Sequence, residues 1–484
     1  MTSVTHAESS PVESTRAETA APAPGRRLED LDWWRTCSVR FIAPAPELSS
    51  THASFLRDLE AAFARGGNRV IPQGENEAKV DMVVVGVSVP DGPDALCDRI
   101  VEEQTPLMLK VRKDQGRQGV VGRLVAVAEV PERLSEMSHP EVVRAARILM
   151  ARVGVFTVVF VTAGAAPGEV AEATLCTMEG GHPTETEDVA QGICDRLVAA
   201  SCAHEVAGRH DVVPDAIPAG AWAAARAPKS LTVAGKRMGD LGLLPAPHAM
   251  ADFVSPRLSR TYAMYLNLQG FSEGMLFAFD PDLNALVVTA SGRWGVDKRD
   301  LSDTDLVAVD FRMNGNRLRV LAPEGTQPMA PSVEAWEVCA LFEAAPTVRI
   351  GRNAAGEWAW DPNGTHEVPA IRAGLHAHVG VSYADPALIE SIPPDREHYP
   401  YGFGCGTDLM IDVARATLAA SRAVHDPADT RHYVRWPMLY HGEMALELWG
   451  PEQPDEPLRG LLDLFDPQVT GAVHFHPEHI DQPH

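Results

Sequence analysis

The chain has 484 residues, 45% of them hydrophobic and 22% charged, with no run of eighteen apolar residues, so it reads as a globular protein of at least two domains rather than a membrane span. Its 66 acidic against 42 basic residues leave a net charge of −24, which excludes nucleic acid and anionic membrane as natural partners because no segregated basic patch offsets it. Seven cysteines are scattered without a C-x-x-C spacing, which excludes a disulfide framework and a zinc knuckle.

Residues 1–26 are rich in Ala, Pro, Ser, Thr and Glu and predict a disordered tail. They carry neither a basic start nor an apolar core of the secretory kind, so a cytoplasmic location is expected. Residues 27–213 alternate apolar runs with segments of helical period: CSVRFIAP, THASFLRDLEAAFARGG, KVDMVVVGVSV, GRLVAVAEV, VFTVVFVT and EDVAQGICDRLVAASCA. Continuous Val/Ile/Leu runs between amphipathic helices predict an α/β domain with a mainly parallel sheet covered on both faces. The loop KDQGRQGVVGR lacks the order of a phosphate-binding loop, and MEGGHPTETEDV reads as a turn and helix cap.

The Pro/Ala-rich stretch 214–230 predicts a linker, and a second domain is expected over 231–450, followed by a tail over 451–484. In the second domain FAFDPDLNALVVTASG predicts a hairpin, LVAVDF and LRV predict strands on either side of an Asn314-Gly315 turn, and PSVEAWEVCALFEAAP predicts a helix with Glu334 in its first turn. The run IRAGLHAHVG then places His376 and His378 one residue apart, so that in a strand both imidazoles share a face and converge on one small object such as a metal ion. Residues 349–370 have a turn and a Trp358/Trp360 alternation that predict an extra hairpin. The C-terminal His474, His476 and His479 form a second such cluster on a segment expected to be a tail.

In order, the turn at Ser272-Glu273-Gly274, VTASG, DLSDTDLVAVD, APSVEAWEVCALFEAAP, LHAHV, PYGFGCGTDL and LYHGEMAL resemble the class II aldolase/adducin family over residues 231–450. The resemblance implies an α/β/α sandwich, a divalent metal held by His376, His378 and His441, and Glu334 as the group that moves a proton. Zinc is the first expectation for the metal and Fe2+ the second. It also implies a homo-oligomer, and a substrate cradle of Thr289, Ser291, Gly292 and Ser332. Two family donors are replaced, by Met275 and Val333, which points to a small unphosphorylated carbonyl or hydroxy-acid substrate. The chemistry expected is that of a metal-dependent lyase. The alternatives are a non-haem Fe(II) oxygenase on the same ligands and a non-catalytic, adducin-like scaffold.

Overall fold

In the computed structural model the described residues are 37–42, 48–72, 82–87, 123–130, 134–136, 157–176, 181–184, 187–201, 206, 208–241, 243, 274–291, 298–377, 387–393, 406–426, 428–438, 443–451 and 456–466, with 142, 146 and 468. The tail 1–26, the glycine-rich stretch 113–122, Tyr399, Tyr401, and the C-terminal His474, His476 and His479 lie outside them. No helix among the described residues is long and apolar enough to cross a membrane.

The first sheet is built from β1 (Ser38–Ile42), β2 (Arg69–Ile71), β3 (Met82–Val87), β4 (Arg123–Glu129), β5 (Thr157–Ala163), β6 (Val170–Cys176) and β7 (Gly181–Pro183), in the order β2-β1-β3-β4-β5-β6-β7. The pairs from β2 to β5 are parallel, as the uninterrupted apolar runs predict. The pairs β5/β6 and β6/β7 are antiparallel. The Gly181–Pro183 segment, expected to be loop and cap, is therefore an edge strand, the position in a sheet where a proline costs least.

Helix α1 (Ser50–Arg65) starts where Ser49 Oγ accepts the His52 amide at 3.1 Å, and it buries Phe55, Leu56, Leu59 and Phe63 at helical spacing. Helix α2 (Val189–Ser201) is entered through Asp188, whose Oδ1 accepts the Gln191 amide at 3.0 Å. Both helices pack with β1, β3, β4 and β5 into one apolar cluster. Cys37 and Cys194 are buried in this cluster and Cys176 is buried at the end of β6, and burial pushes the Cys176 and Cys194 thiols well up.

Part of the stretch expected as a linker is ordered into the second sheet. Residues 210–217 form β8 (His210–Ile217), and α3 (Ala219–Ala224) and α4 (Arg226–Asp240) follow. Pro214 lies in β8, which is the sheet's edge strand and so tolerates a missing amide. The alanines favour helix once α4 is capped from a distance: Asp280 Oδ2 accepts the amides of Arg226 and Ala227 at 2.9 and 3.0 Å.

The remaining strands are β9 (Met275–Asp280), β10 (Ala285–Thr289), β11 (Leu306–Asn314), β12 (Arg317–Pro323), then the separate β13 (Thr347–Arg352), β14 (Trp358–Trp360) and β15 (His366–Pro369), and finally β16 (Ile371–Ala377), β17 (Ile389–Ser391), β18 (Tyr433–Pro437) and β19 (Glu443–Leu448). The nine-stranded sheet runs β17-β18-β19-β16-β9-β10-β11-β12-β8 and is antiparallel except at its two end pairs. Helices α5 (Ala335–Ala344) and α6 (Asp408–Ala419) pack on one face, while α4 and α8 (Arg459–Leu464) pack on the other, with the short α7 (Arg422–His425) after α6. That layering is an α/β/α arrangement. The 349–370 hairpin is there, enlarged to the three-stranded sheet β14-β13-β15. It is fastened by Arg352 over the Trp358 ring at 4.1 Å and by His366 against the same ring at 4.5 Å.

Gly374 sits in β16 between β9 and β19, two residues before His376. A Cβ there would lie 2.3 Å from Phe277 Cζ and 2.6 Å from the Ala445 carbonyl oxygen. Gly374→Ala is therefore expected to lower stability by about 1–3 kcal/mol, measured by denaturant unfolding, because one of the two obstacles is backbone and cannot rotate away.

Candidate metal and proton-transfer site

One end of the large sheet gathers the candidate residues. Strands β10 and β16 finish there, and β9 and β19 begin there, so Thr289, His376, Met275 and Glu443 lie along a single edge. The sequence after β10 and the sequence before α5 are stitched together. Ser291 N donates to the Ala330 carbonyl at 2.8 Å, Ser332 N donates to the Thr289 carbonyl at 3.1 Å, and Ala290 bridges Pro331. These bonds bring Thr289, Ser291, Ser332 and Glu334 into one neighbourhood.

Glu334 is buried and occupies the cap position just before α5 rather than the first turn. Its carboxylate does not cap the helix; Oε2 accepts a hydrogen bond from Ser332 Oγ. The local pairing explains this: Pro331 bridges Ala290 and Ser332 N is already committed to Thr289, so the serine hydroxyl turns to the acid two residues on. The Thr289 hydroxyl accepts from the Leu276 amide at 3.4 Å and is fully buried, so its oxygen is tied to the neighbouring strand.

His376 is fully buried in the central strand β16, opposite Met275 on one side and Met444 on the other. Alternation along β16 puts Ala373, Leu375 and Ala377 with the α4/α8 side, and His376 on the side of α5 and α6, from which Glu334 also approaches. Its Nδ1 lies 3.1 Å from the Glu443 carbonyl oxygen. A carbonyl only accepts, so Nδ1 donates in this contact, and in the neutral imidazole Nε2 then carries the lone pair, the tautomer suited to holding a metal. His378, His441 and Gly292 lie outside the described residues, and among the described residues no group of three His, Cys, Asp or Glu side chains could hold a metal ion.

Three buried carboxyl groups are not marked out by the sequence. Glu337, on α5, is fully buried, and burial raises it well above the ordinary range, with the charge of Glu334 adding and the Gly406 amide opposing. Glu443 opens β19 and receives Arg435 Nε on Oε2, while burial pushes its carboxyl up to about 7 against the pull of Arg435. Glu447, further along the same strand, is 3.1 Å from Arg372 Nη1 and is also pushed up to about 7 by burial. The available signal was EMALEL, in which Glu443 and Glu447 fall on one face of a strand that is buried throughout.

No family model matches the sequence, and no curated protein matches it. Among solved structures the chain has a distant similarity to an L-fuculose 1-phosphate aldolase, with 15% identity and a TM-score of 0.21 over 40% of this chain and 72% of that one.

Proposed function

We propose that the chain is a metal-dependent lyase of the class II aldolase type, acting on a small unphosphorylated carbonyl or hydroxy-acid compound. The observation that carries this reading is His376: an imidazole buried at the end of a central strand, its Nδ1 proton given to a backbone carbonyl. That is how proteins orient a histidine that coordinates through its other nitrogen. In this reading His376, His378 and His441 hold one divalent cation, zinc first and Fe2+ second. A cation so held supplies Lewis-acid polarisation of a substrate oxygen.

The chain's own residues supply the rest. Glu334 takes the proton from the carbon α to the carbonyl and returns it, and Ser332 Oγ holds one of its oxygens so that the other is presented to substrate. Burial of Glu334 and Ser332 keeps water away from that transfer. Met275 and Val333, standing where a phosphate cradle needs donors, favour an uncharged substrate end.

The test is a zinc titration of the metal-stripped chain. One zinc per chain is expected, and His376→Ala is expected to weaken binding by more than about 100-fold, the upper range for losing a group that only hydrogen-bonds to a ligand. Absence of stoichiometric zinc or iron binding in the intact chain overturns the reading.

A further inference from the structure

Glu337 has no part in the chemistry above, yet it is among the least exposed charged-type side chains of the domain. It stands on α5 one turn after Glu334 and is fully buried. Its Oε1 accepts the Gly406 amide at 2.6 Å, and the Gly406 carbonyl in turn accepts the Val206 amide at 2.9 Å. Gly406 has φ +69°, a left-handed turn, and the next residue, Thr407, caps α6 through the Met410 amide at 3.1 Å. Glu337 Oε2 has no hydrogen-bond partner among the described residues, and no cation among them pairs with the side chain.

A charged carboxylate with one buried oxygen unpartnered and no counter-ion among the described residues is costly, and holding a proton removes that cost. The charged and titratable groups around it point the same way. Glu334, at the cap of the same helix, repels a second negative charge. At the start of α6, Asp408 is neutralised by Arg209, with Nη1 to Oδ1 at 2.8 Å. On β8, His210 faces the Trp336 ring at 6.5 Å, and burial holds its imidazole below the ordinary range.

We propose that Glu337 is a positioning residue of the Glu334 site: an uncharged carboxylic acid that fixes the Gly406 turn, and so the start of α6, against the turn carrying Glu334, and leaves the negative charge there to Glu334. This rests on the reading of Glu334 as the proton-transfer group. It assigns Glu337 a role that an alanine could not fill and a glutamine could, since a glutamine side-chain carbonyl accepts the same amide without charge.

The experiment uses the full chain in three forms: wild type, Glu337→Gln and Glu337→Ala. Infrared difference spectra at neutral pH are expected to show the carbonyl band of a protonated carboxylic acid in wild type that vanishes in Glu337→Gln. Hydrogen exchange at the Gly406 amide is expected to stay slow in wild type and Glu337→Gln and to quicken by about tenfold or more in Glu337→Ala. A missing acid band, or a Gly406 amide that exchanges as fast in Glu337→Gln as in Glu337→Ala, overturns the proposal. If Glu337→Ala does not fold, the infrared band and the protection of Gly406 in Glu337→Gln relative to wild type still decide it. Neither readout involves metal or turnover, so failure here leaves the metal reading standing. Failure of zinc or iron to bind is equally separable from these two results.

Discussion

Glu334→Gln is expected to lose about 10²–10⁴-fold in the rate at which the zinc-loaded chain exchanges α-protons of small hydroxy-carbonyl compounds with heavy water, while zinc binding is unchanged. Glutamine keeps the size of the side chain, and its carbonyl oxygen can still accept from Ser332 Oγ, so the start of α5 is preserved. What is removed is the basic oxygen. An undiminished exchange rate in the variant, read by proton NMR against a set of unphosphorylated hydroxy-carbonyl compounds, would take Glu334 out of the chemistry.

The second large effect concerns stability. Arg372 and Glu447 form an ion pair of 3.1 Å in which the side chains are 4% and 0% exposed, with the Leu458 amide also on Glu447 Oε2 at 2.9 Å and Trp449 beneath the guanidinium at 5.1 Å. Removing either member strands the other, but the two are not equivalent. Glu447 can take up a proton, since burial already pushes it up to about 7, whereas a guanidinium cannot shed its charge. Glu447→Ala is therefore expected to cost about 3–5 kcal/mol. Arg372→Met is expected to cost less at pH 6, and the gap should narrow at pH 8, where Glu447 in that variant has to ionise or bind a proton against the solvent.

The sign for the wild type follows from the same group. A carboxyl raised from 4.5 to about 7 in the fold binds its proton more tightly there than in the unfolded chain. Its contribution to stability is thus fully present below about pH 4.5 and is lost as pH rises through about 7. Denaturant unfolding of the two variants at both pH values checks this. Equal costs at pH 6 would contradict the asymmetry, and Arg372→Met with Glu447→Leu should recover most of the loss, since a buried pair is replaceable by apolar side chains.

Much of the fold was legible because its strands are apolar runs that need no tertiary knowledge. The β3 run MVVVGV is buried at every position, and the hairpin around DPDLN is β9 and β10, with Asn284 at φ +46° in its turn. What escaped was built from residues of mixed character. Strand β6 reads VAEATLC, where Ala and Glu have weak strand preference, and β7 contains both Gly and Pro. Strand β8 has Pro214 inside it, which in the sequence reads as the start of a linker, and only its edge position makes the proline acceptable.

For the site, the spacing of His376 and His378 marked one strand end. The sequence could not reveal that Glu443 would lend its carbonyl to His376, because that bond depends on β19 pairing with β16 in the register Ala377 to Glu443. Nor could it reveal that the acids of α5 and β19 are inside. A glutamate in an amphipathic segment reads as solvated, and Glu337 and Glu447 become buried only when α6 and α8 close over them.

The central claim is a cation held by three imidazoles, and zinc-edge X-ray absorption on the chain loaded with one equivalent of zinc addresses it most directly. The account predicts imidazole nitrogens at about 2.0–2.1 Å, one light atom from solvent and no sulfur, with the imidazole scattering reduced in His376→Ala. A shell containing sulfur at about 2.3 Å, or one with no imidazole scattering, would contradict it.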